Sequence, residues 1–323
     1  MLKKYFDYEN NYEKLQDKIK ELKKLSEQLD YNLDGEIEKL ERQMENIRHS
    51  KYRNLSPWEK VLLSRHPERP VVREYIDFLL DDFIEFHGDR LYGDDKAVIA
   101  GVGSFEGHAL TVLAHQKGKG TNEKIAHHFG MPHPEGYRKV ERLLLQSEKF
   151  KRPVLNLIDT PGAFPGVGAE ERGQASSIAR VLMTLSDLKV PVISIVTGEG
   201  GSGGALALGV CDRLFMLANS VFSVISAEAC ASIIFKETEK TQEMAAALKL
   251  TAQDLFELGI ADGIIPEPVG GAHLDFDATA LNIAECIRKN LQELTTVDMN
   301  RLLTERYNKI RSIGQYTESI SNF

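Results

Sequence analysis

The sequence contains little cysteine and no cysteine motif. Its 323 residues include 3 cysteines, and no two of them form a C-x-x-C pair. They lie far apart, at Cys211, Cys230 and Cys286. A disulfide framework and a zinc ribbon both need closely spaced pairs, so this chain builds neither. We expect the three residues to be buried structural thiols.

Long apolar runs and an excess of positive charge are also absent. No stretch approaches the roughly 18 apolar residues that cross a bilayer, and the first ten residues lack the apolar core of a secretion signal. The formal net charge is -8 at pH 7, whereas nucleic-acid-binding domains usually carry a basic surface. We therefore expect a cytoplasmic protein that binds neither a membrane nor nucleic acid.

The first part of the sequence has the pattern of a helical hairpin. Apolar residues recur every three or four positions from Leu15 to Ile47, on both sides of Asp34-Gly35. Ser56-Pro57-Trp58-Glu59 then has the form of a capping box that starts a new helix. We predict that residues 1–55 form a hairpin that contacts another subunit, although packing on its own domain fits the narrow stripe equally well. Residues 56–323 form the main domain.

The main domain alternates short apolar strands with helices. We predict a helix from Arg73 to His87, a strand hairpin over 97–117 that turns at Glu106-Gly107, and a helix that opens at Pro134. The later predicted elements are strand Pro153–Asp159, helix Gln174–Leu188, strand Pro191–Thr197, helix Ala205–Cys211, strand Arg213–Leu217, and helices Glu237–Leu248, Thr251–Leu258 and one from Ala278. This alternation implies right-handed βαβ crossovers and a mostly parallel sheet.

The stretch GEGGSGGALALG allows three interpretations. Gly198, Gly200 and Gly203 have the spacing of a dinucleotide-binding loop. Gly200, Ser202 and Gly204 have the spacing of a hydrolase nucleophile elbow. In the third interpretation, the glycines expose backbone N–H groups at the start of a helix, where these groups would hold a developing oxyanion.

The first two interpretations each require particular residues after the glycine loop. A dinucleotide fold requires a full helix and then a carboxylate near the end of the next strand, but that strand ends at Leu217-Ala218-Asn219. A hydrolase triad requires a histidine and an acid after Ser202, and His273 with Asp262 or Asp275 could supply them. A serine hydrolase or peptidase on a ClpP-like fold therefore stays open as an alternative.

A second glycine loop favours the oxyanion interpretation. Asp159-Thr160-Pro161-Gly162-Ala163-Phe164-Pro165-Gly166 follows the strand that precedes the strand of the first loop. Because neighbouring parallel strands end at the same edge of a sheet, both loops should line one crevice. Two such loops are more specific than either loop alone.

Three histidines, His127, His128 and His133, lie close together in the sequence. Glycines and prolines surround them, and no cysteine or carboxylate stands at ligand spacing. We therefore expect no metal in this chain.

Four segments together resemble those of one protein family. They are HFGMPHPEGYRK from His128, IDTPGAFPGVGAEERGQ from Ile158, GEGGSGGALALG from Gly198 and PEPVGGAH from Pro266. From about Pro57 onward, the chain resembles the carboxyltransferase alpha subunit of bacterial multi-subunit acetyl-CoA carboxylase. The resemblance implies an α/β fold, namely a crotonase- or ClpP-like spiral of βαβ units with an N-terminal helical hairpin.

The resemblance also implies an activity. Such enzymes transfer a carboxyl group from carboxybiotin to acetyl-CoA, which forms malonyl-CoA in the first committed step of fatty acid biosynthesis. Biotin would arrive on a separate biotin carboxyl carrier protein, since this chain has nothing similar to the Met-Lys-Met attachment site. The implied partners are beta subunits in a heterotetramer of two alpha and two beta subunits, with zinc in the beta subunit only, and a biotin carboxylase. A crotonase-fold protein that serves only as a scaffold is a further alternative.

The resemblance assigns roles to residues by position. The backbone N–H groups of Gly203 and Gly204 would hold the ureido oxygen of biotin. Arg172 and Glu228 would orient a loop, although a salt bridge between Arg172 and Glu170 or Glu171 explains that arginine equally well. The implied pocket residues are Gly162, Ala163, Gly200, Gly201 and Ser202.

One segment departs from the family pattern. The family commonly has Ser-Val-Ile-Ser-Pro-Glu-Gly, whereas here Ala227, Glu228 and Ala229 follow Ser-Val-Ile-Ser. Loss of the proline loosens a turn, and loss of the glycine removes an easy positive φ. We expect the change to be tolerated.

Overall fold

One mixed sheet lies at the centre of the structure, a computed structural model that describes residues 9–29, 33–52 and 54–314. The strands are β1 (Asp81–Glu85), β2 (Val98–Phe105), β3 (His108–His115), β4 (Val154–Thr160), β5 (Val192–Gly201), β6 (Arg213–Leu217), β7 (Val221–Ser223) and β8 (Gly263–Ile265). They lie in the order β1-β2-β3-β4-β5-β6-β8, and β7 pairs with the end of β5. Pairing is antiparallel from β1 to β3 and parallel beyond, which confirms the predicted mostly parallel sheet.

Helices cover both faces of this sheet. The α-helices of the described residues are α1 (Glu9–Leu29), α2 (Asp34–Tyr52), α3 (Pro57–Ser64), α4 (Val72–Leu79), α5 (Gly120–Ala126), α6 (Pro134–Phe150), α7 (Val167–Glu171), α8 (Gln174–Ser186), α9 (Ser202–Leu206), α10 (Ala227–Phe235), α11 (Thr241–Ala247), α12 (Ala252–Glu257), α13 (Phe276–Leu294) and α14 (Met299–Ser312). The predicted capping box is present, because the Ser56 side chain accepts from Glu59 N and the Glu59 carboxylate accepts from Ser56 N.

Two apolar cores lie on opposite faces of the sheet. Side chains alternate between the faces along a strand, so Leu155 and Leu157 of β4 join one core with residues of α4 and α13. Val154 and Ile158 of the same strand join the other core with residues of α6 and α8. Every residue of β4 is buried. The carboxyl ends of the parallel strands are thereby held between two layers of helix.

The predicted N-terminal hairpin is present. Ile19 of α1 and Ile37 of α2 are buried, and Lys23 pairs with Glu41 across the two helices at 2.9 Å. The predicted turn is misplaced, since Asp34-Gly35 belongs to the first turn of α2. The side chains of Leu29 and Ile47, two of the predicted apolar positions, lie outside the described part of the chain.

The predicted helix from Arg73 to His87 is wrong in its second half. The helix α4 ends at Leu79, and β1 follows and pairs with β2. Gly101 of β2 lies opposite Glu85 of β1. An added Cβ at Gly101 would overlap the Ile84 carbonyl and the Phe83 ring. The missing side chain lets β1 lie directly on β2, and this pairing overrides the helical spacing of the apolar residues.

Five further features differ from the prediction. The strand predicted to end at Thr197 continues to Gly201, because β7 pairs with its last three residues. The helix predicted from Ala205 starts at Ser202. The helix α10 was not predicted, and the helix predicted from Glu237 begins only at Thr241. The C-terminal segment forms two helices, α13 and α14, instead of one.

The expectation that all three cysteines are buried is confirmed for two of them. All three cysteines are free, but only Cys211 and Cys230 are buried, whereas Cys286 is half-buried. Within the described ranges, no helix combines the length and apolar character that a membrane span requires.

A buried arginine of α14 joins the last helix to the sheet. Arg306 donates to the carbonyls of Leu185, Leu188 and Val190 at 2.7 to 2.9 Å, and its Nε and Nη2 bond the Asp212 carboxylate at 2.8 Å. Its side chain is 1% exposed. One side chain therefore satisfies three carbonyls and one buried acid just before β5 and β6.

We predict that Arg306→Met lowers the free energy of unfolding by about 3 to 5 kcal/mol, because the variant leaves Asp212 buried without its partner. Arg301→Met on the same helix is the matched control. Arg301 is 71% exposed and pairs with Glu305 on the surface, so we expect a change within about 0.5 kcal/mol. Urea denaturation of both variants measures the difference, and equal stabilities would contradict the role assigned to Arg306.

Candidate active site

Two glycine loops meet at the carboxyl ends of β4 and β5. An added Cβ at Gly201 would overlap the Pro161 carbonyl, and one at Gly204 would lie 2.6 Å from the Ala163 nitrogen. Gly162 has a φ of +148°, a region that other residues rarely adopt. The structure thus brings the two predicted loops together, with backbone packed directly on backbone.

The start of α9 places two glycines of the first loop at a helix N-terminus. Gly203 and Gly204 follow Ser202 in the first turn, where backbone N–H groups have no carbonyl partner within the helix. Packing explains Gly204, but not Gly203. An added Cβ at Gly203 would meet only Ile178 Cδ1, at 3.9 Å. A side chain would therefore fit at Gly203, and its absence leaves open space beside the loop.

The residues proposed for a serine triad have separate structural roles. Ser202 is exposed and has a φ of +53°. The His273 ring stacks on His66, with 4.1 Å between ring centroids. Asp275 caps α13 by accepting from Ala278 N, and Asp262 accepts from Leu214 N and pairs with Lys309. These contacts give no support to a triad built on Ser202.

The dinucleotide interpretation also fails. Gly198 and Gly200 lie inside β5, whereas a dinucleotide loop places its glycines in the turn between strand and helix. Gly198 is a packing position, since an added Cβ there would overlap the Asp159 carboxylate.

A cluster of charged side chains lies directly below the loops. Lys117 pairs with Asp159 at 2.7 Å and with Glu199 at 3.3 Å. Arg65, which directly follows α3, pairs with Glu199 and with Glu228 of α10, each at 2.5 Å. Asp159 also accepts from Glu199 N at 2.9 Å. The ends of β4 and β5 are thereby joined by one lysine and anchored to two helices.

The cations determine the protonation of this cluster. Burial alone would raise the pKa of Glu199, but Lys117 and Arg65 outweigh burial and hold this pKa below its ordinary value. Burial alone would lower the pKa of Lys117, but Asp159 and Glu199 raise it above its ordinary value. Glu199 and Lys117 are therefore both charged near neutral pH, and each stabilises the charge of the other.

A second buried pair supports the middle of β5. Arg69 Nε donates to the Thr197 carbonyl at 2.9 Å, and the same guanidinium bonds both oxygens of Glu267, at 3.0 and 2.8 Å. Glu267 also accepts from the backbone of Asn219 and of Ala272, each at 2.9 Å. Arg69, which lies outside the sheet, thus fixes β5, the strand that carries the first glycine loop.

A sequence profile described as "Acetyl co-enzyme A carboxylase carboxyltransferase-like" matches residues 5–314. The chain belongs to this family. Relatives named subunit alpha of acetyl-coenzyme A carboxylase carboxyl transferase are similar over nearly their whole length. The protein of Syntrophomonas wolfei is 58% identical over 316 residues, 98% of this chain and 99% of that protein. The protein of Listeria welshimeri is 50% identical over 310 residues, 96% of this chain and 98% of that protein.

Solved carboxyltransferase structures share the fold at low sequence identity. Transcarboxylase 12S matches with a TM-score of 0.58 and 21% identity over 70% of this chain and 42% of that one. The beta subunit of P. aeruginosa geranyl-CoA carboxylase matches with a TM-score of 0.55 and 18% identity over 83% and 48%. The expected crotonase-like α/β fold is confirmed, and the protein is a carboxyltransferase of the acetyl-CoA carboxylase type.

Arg172 lies near the loops but not between them. Its Nε donates to Glu135 at 2.7 Å, and its guanidinium lies 4.5 Å from the centroid of the Tyr92 ring. Arg138 binds the same glutamate at 3.0 Å. Arg172 therefore forms a salt bridge, but with Glu135 and not with Glu170 or Glu171, the partners considered in the sequence analysis.

Glu228 lies in the first turn of α10, where this chain departs from the family pattern. Ser226 caps this helix and accepts from Ala229 N at 3.1 Å. Ala229 has no positive φ, so its backbone conformation does not require a glycine. Glu228 reaches Arg65 from this turn. Tolerance of the alanines in the active enzyme stays a prediction.

The three histidines of the sequence analysis separate into two groups. His127 Nδ1 contacts the Glu123 carbonyl at 2.7 Å. His128 and His133 instead lie beside the buried Asp95, and the His133 ring stacks on Phe164 of the second glycine loop at 4.1 Å. The sequence analysis found no carboxylate at ligand spacing from these histidines. Asp95 is near them only in the folded chain, because it stands far upstream in the sequence.

His115 is buried at the end of β3 beside the first loop. Burial and Lys117 lower its pKa to about 3, although Asp95 and a hydrogen bond with the Gly204 backbone act in the opposite direction. The imidazole is therefore neutral near pH 7. Its contact with Gly204 links β3 to the first turn of α9.

Sequence reasoning missed the charged cluster. Asp159 and Glu199 had a detectable signal, since Asp159 ends the predicted strand before the second glycine loop and Glu199 stands between two glycines of the first loop. Lys117, Arg65 and Asp95 lie on other elements, and no local pattern points to their partners.

We predict that Lys117→Met lowers the free energy of unfolding by about 3 kcal/mol or more, since it leaves Asp159 buried without its lysine. Lys119→Met is the matched control two residues away. Lys119 is 42% exposed and pairs with Glu74, so its removal should change stability by less than about 0.5 kcal/mol. Chemical denaturation compares the two variants. A destabilisation of similar size in both would show that the cluster does not depend on Lys117.

The low pKa of His115 predicts a loss of stability at acidic pH. The unfolded chain takes up a proton as the pH falls below about 6.5, whereas the folded chain does so only near pH 3. This one residue should therefore lower the free energy of unfolding by about 1.4 kcal/mol between pH 7.5 and pH 5.5. His115→Gln should remove that part of the decrease. Denaturation of both proteins at the two pH values measures it, and equal decreases would contradict the assignment.

Proposed function

We propose that this chain forms the biotin side of a split carboxyltransferase, which transfers a carboxyl group from carboxybiotin to acetyl-CoA and yields malonyl-CoA. This reaction would be the first committed step of fatty acid biosynthesis and would take place in the cytoplasm. The observation that carries the proposal is the open space at Gly203, where the first turn of α9 faces the second glycine loop.

The residues at this point fit the ureido group of biotin. When bound, biotin supplies the carboxyl group and, after its departure, a basic ring nitrogen that can accept a proton from the acetyl methyl group. The N–H groups of Gly203 and Gly204 stabilise negative charge on an oxygen in front of them, and the helix start adds to this effect. Removal of one such donor typically costs about 2.7 to 4 kcal/mol of barrier. The chain therefore needs no His and Asp dyad of its own.

The second loop and the charged cluster hold these donors in position. Gly162 and Ala163 contact Gly204 through backbone atoms, so this side of the pocket carries no large side chain. Gly200, Gly201 and Ser202 form the other side. Glu228 acts through Arg65 on Glu199, and Arg172 acts through Glu135 on the start of α6. The first loop cannot shift without breaking these contacts.

The family implies a beta-subunit partner, and we propose where the partner lies. Val167 directly follows the second glycine loop and is 76% exposed, and Val224 directly follows β7 and is 78% exposed. Large apolar side chains beside a pocket are typical of a surface that a partner covers. The beta subunit would cover this side of the crevice, bind acetyl-CoA and hold the zinc of the assembly, which would contain two subunits of each kind.

The other partners follow from the same reaction. A biotin carboxyl carrier protein would deliver the cofactor, and a biotin carboxylase would recharge it. The helical hairpin of residues 1–55 would act as a subunit contact outside the main domain of residues 56–323.

We predict that Gly203→Val lowers biotin-dependent activity about tenfold or more, because its side chain fills the space in front of the donors. Ser202→Ala should retain activity within about threefold, since the backbone N–H groups persist. The assay is malonyl-CoA decarboxylation, with and without a soluble biotin derivative, by the chain purified with its partner.

Gly93→Val is the matched control for Gly203→Val. An added Cβ at Gly93 meets no atom within 4 Å, and one at Gly203 meets only Ile178 Cδ1 at 3.9 Å, so both variants should melt near the wild-type temperature, and only Gly203→Val should lose activity. Loss of all activity in Ser202→Ala, or activity without any dependence on biotin, would overturn the proposal and favour a hydrolase.

A further inference from the structure

A second cluster of polar side chains lies beside the glycine loops, outside the donors proposed above. His128 Nδ1 lies 3.4 Å from one oxygen of Asp95, and His133 Nδ1 lies 4.0 Å from the other. Three possible ligand atoms, one from each residue, lie within 4.8 Å of one another. The three side chains therefore converge on one point.

The Nδ1 atoms of His128 and His133 lack hydrogen-bond partners within the described residues. Both Nδ1 atoms are buried. Buried polar atoms are normally satisfied, because desolvation without a partner costs free energy. The two imidazoles therefore present unused coordination positions beside a buried carboxylate.

We propose that Asp95, His128 and His133 bind one divalent transition-metal ion, with zinc as the preferred ion. Two imidazole nitrogens and one carboxylate oxygen suit zinc and its neighbours in the first row, whereas magnesium and calcium prefer oxygen ligands alone. In a tetrahedral zinc site, ligand bonds of about 2.0 to 2.2 Å place two ligand atoms about 3.3 to 3.6 Å apart. The 3.4 Å between His128 Nδ1 and one Asp95 oxygen falls in this range, whereas His133 Nδ1 lies 4.0 Å from the other oxygen and would have to move closer to bind the same ion.

The surroundings of Asp95 hold it in the orientation of a ligand. One carboxylate oxygen accepts from Ala97 N at 2.9 Å, and the other accepts from His133 N at 2.6 Å. Each oxygen has a second lone pair that these bonds do not use. Backbone donors of this kind orient metal-binding carboxylates. The side chain of His128 is 37% exposed, which gives an ion and a water ligand access from solvent.

The proposed metal would hold the His128–His133 segment against the second glycine loop. The His133 ring stacks on Phe164, and Phe164 N donates to the Pro132 carbonyl at 3.0 Å. The ion would therefore stabilise one wall of the crevice without contacting a substrate. This inference stands independently of the proposed function.

Titration of the chelator-treated full-length chain with Co²⁺ tests the proposal. We expect the visible absorption bands of tetrahedral Co²⁺ to saturate at one ion per chain, and Zn²⁺ to displace them. Asp95→Asn and His128→Asn should each weaken binding by about tenfold or more. His127→Asn is the matched control, since His127 contacts the Glu123 carbonyl instead, and should bind as tightly as the wild type.

A second measurement guards against variants that fold poorly. Zn²⁺ should raise the melting temperature of the wild type and of His127→Asn, but not that of His128→Asn. In the complex with a partner subunit, metal held by the partner is common to all variants, so differences between variants report this site alone. Absence of Co²⁺ bands in the wild type, or equal bands in a His128→Asn variant that melts like the wild type, would overturn the proposal.

Discussion

Backbone packs directly on backbone where the loop after β4 meets the loop after β5. The Pro161 carbonyl faces Gly201, and the peptide between Gly162 and Ala163 faces Gly204, so no side chain separates the loops. The position of each loop is thereby set by the other and by the register of two parallel strands. A methyl group at either interface would move both loops, whereas Gly203 stands just outside this contact. The site therefore combines a rigid base with one open position.

The rigid base depends on charges that oppose one another. Asp159 and Glu199 stand at the ends of adjacent strands, where two carboxylates would repel each other if they were alone. Lys117 between them and Arg65 on the far side of Glu199 convert this repulsion into a link between β3, β4, β5 and α3. Burial strengthens the link and also makes it costly to disrupt. The positions of the two loops therefore depend on the ion pairs below them.

Local patterns in the sequence predicted the elements that depend on local chemistry. The hairpin around Glu106-Gly107 and the paired glycine loops followed from turn residues and strand alternation alone. The strand β1 was missed because the helical spacing of Ile76 and Leu79 in α4 continues to Phe83, which lies in the mostly exposed β1. Contacts such as Lys117 with Asp159, or Asp95 with His128, join residues far apart in sequence, and their geometry exists only after the sheet has formed.

The anchoring of α14 by Arg306 has a consequence for synthesis of the chain. Ribosomes make the sheet first, and the carbonyls of Leu185, Leu188 and Val190 emerge long before the arginine that binds them. Until that arginine arrives, a buried acid at Asp212 also lacks its counter-ion. The nascent domain would therefore stay loosely packed at this edge until translation passes residue 306.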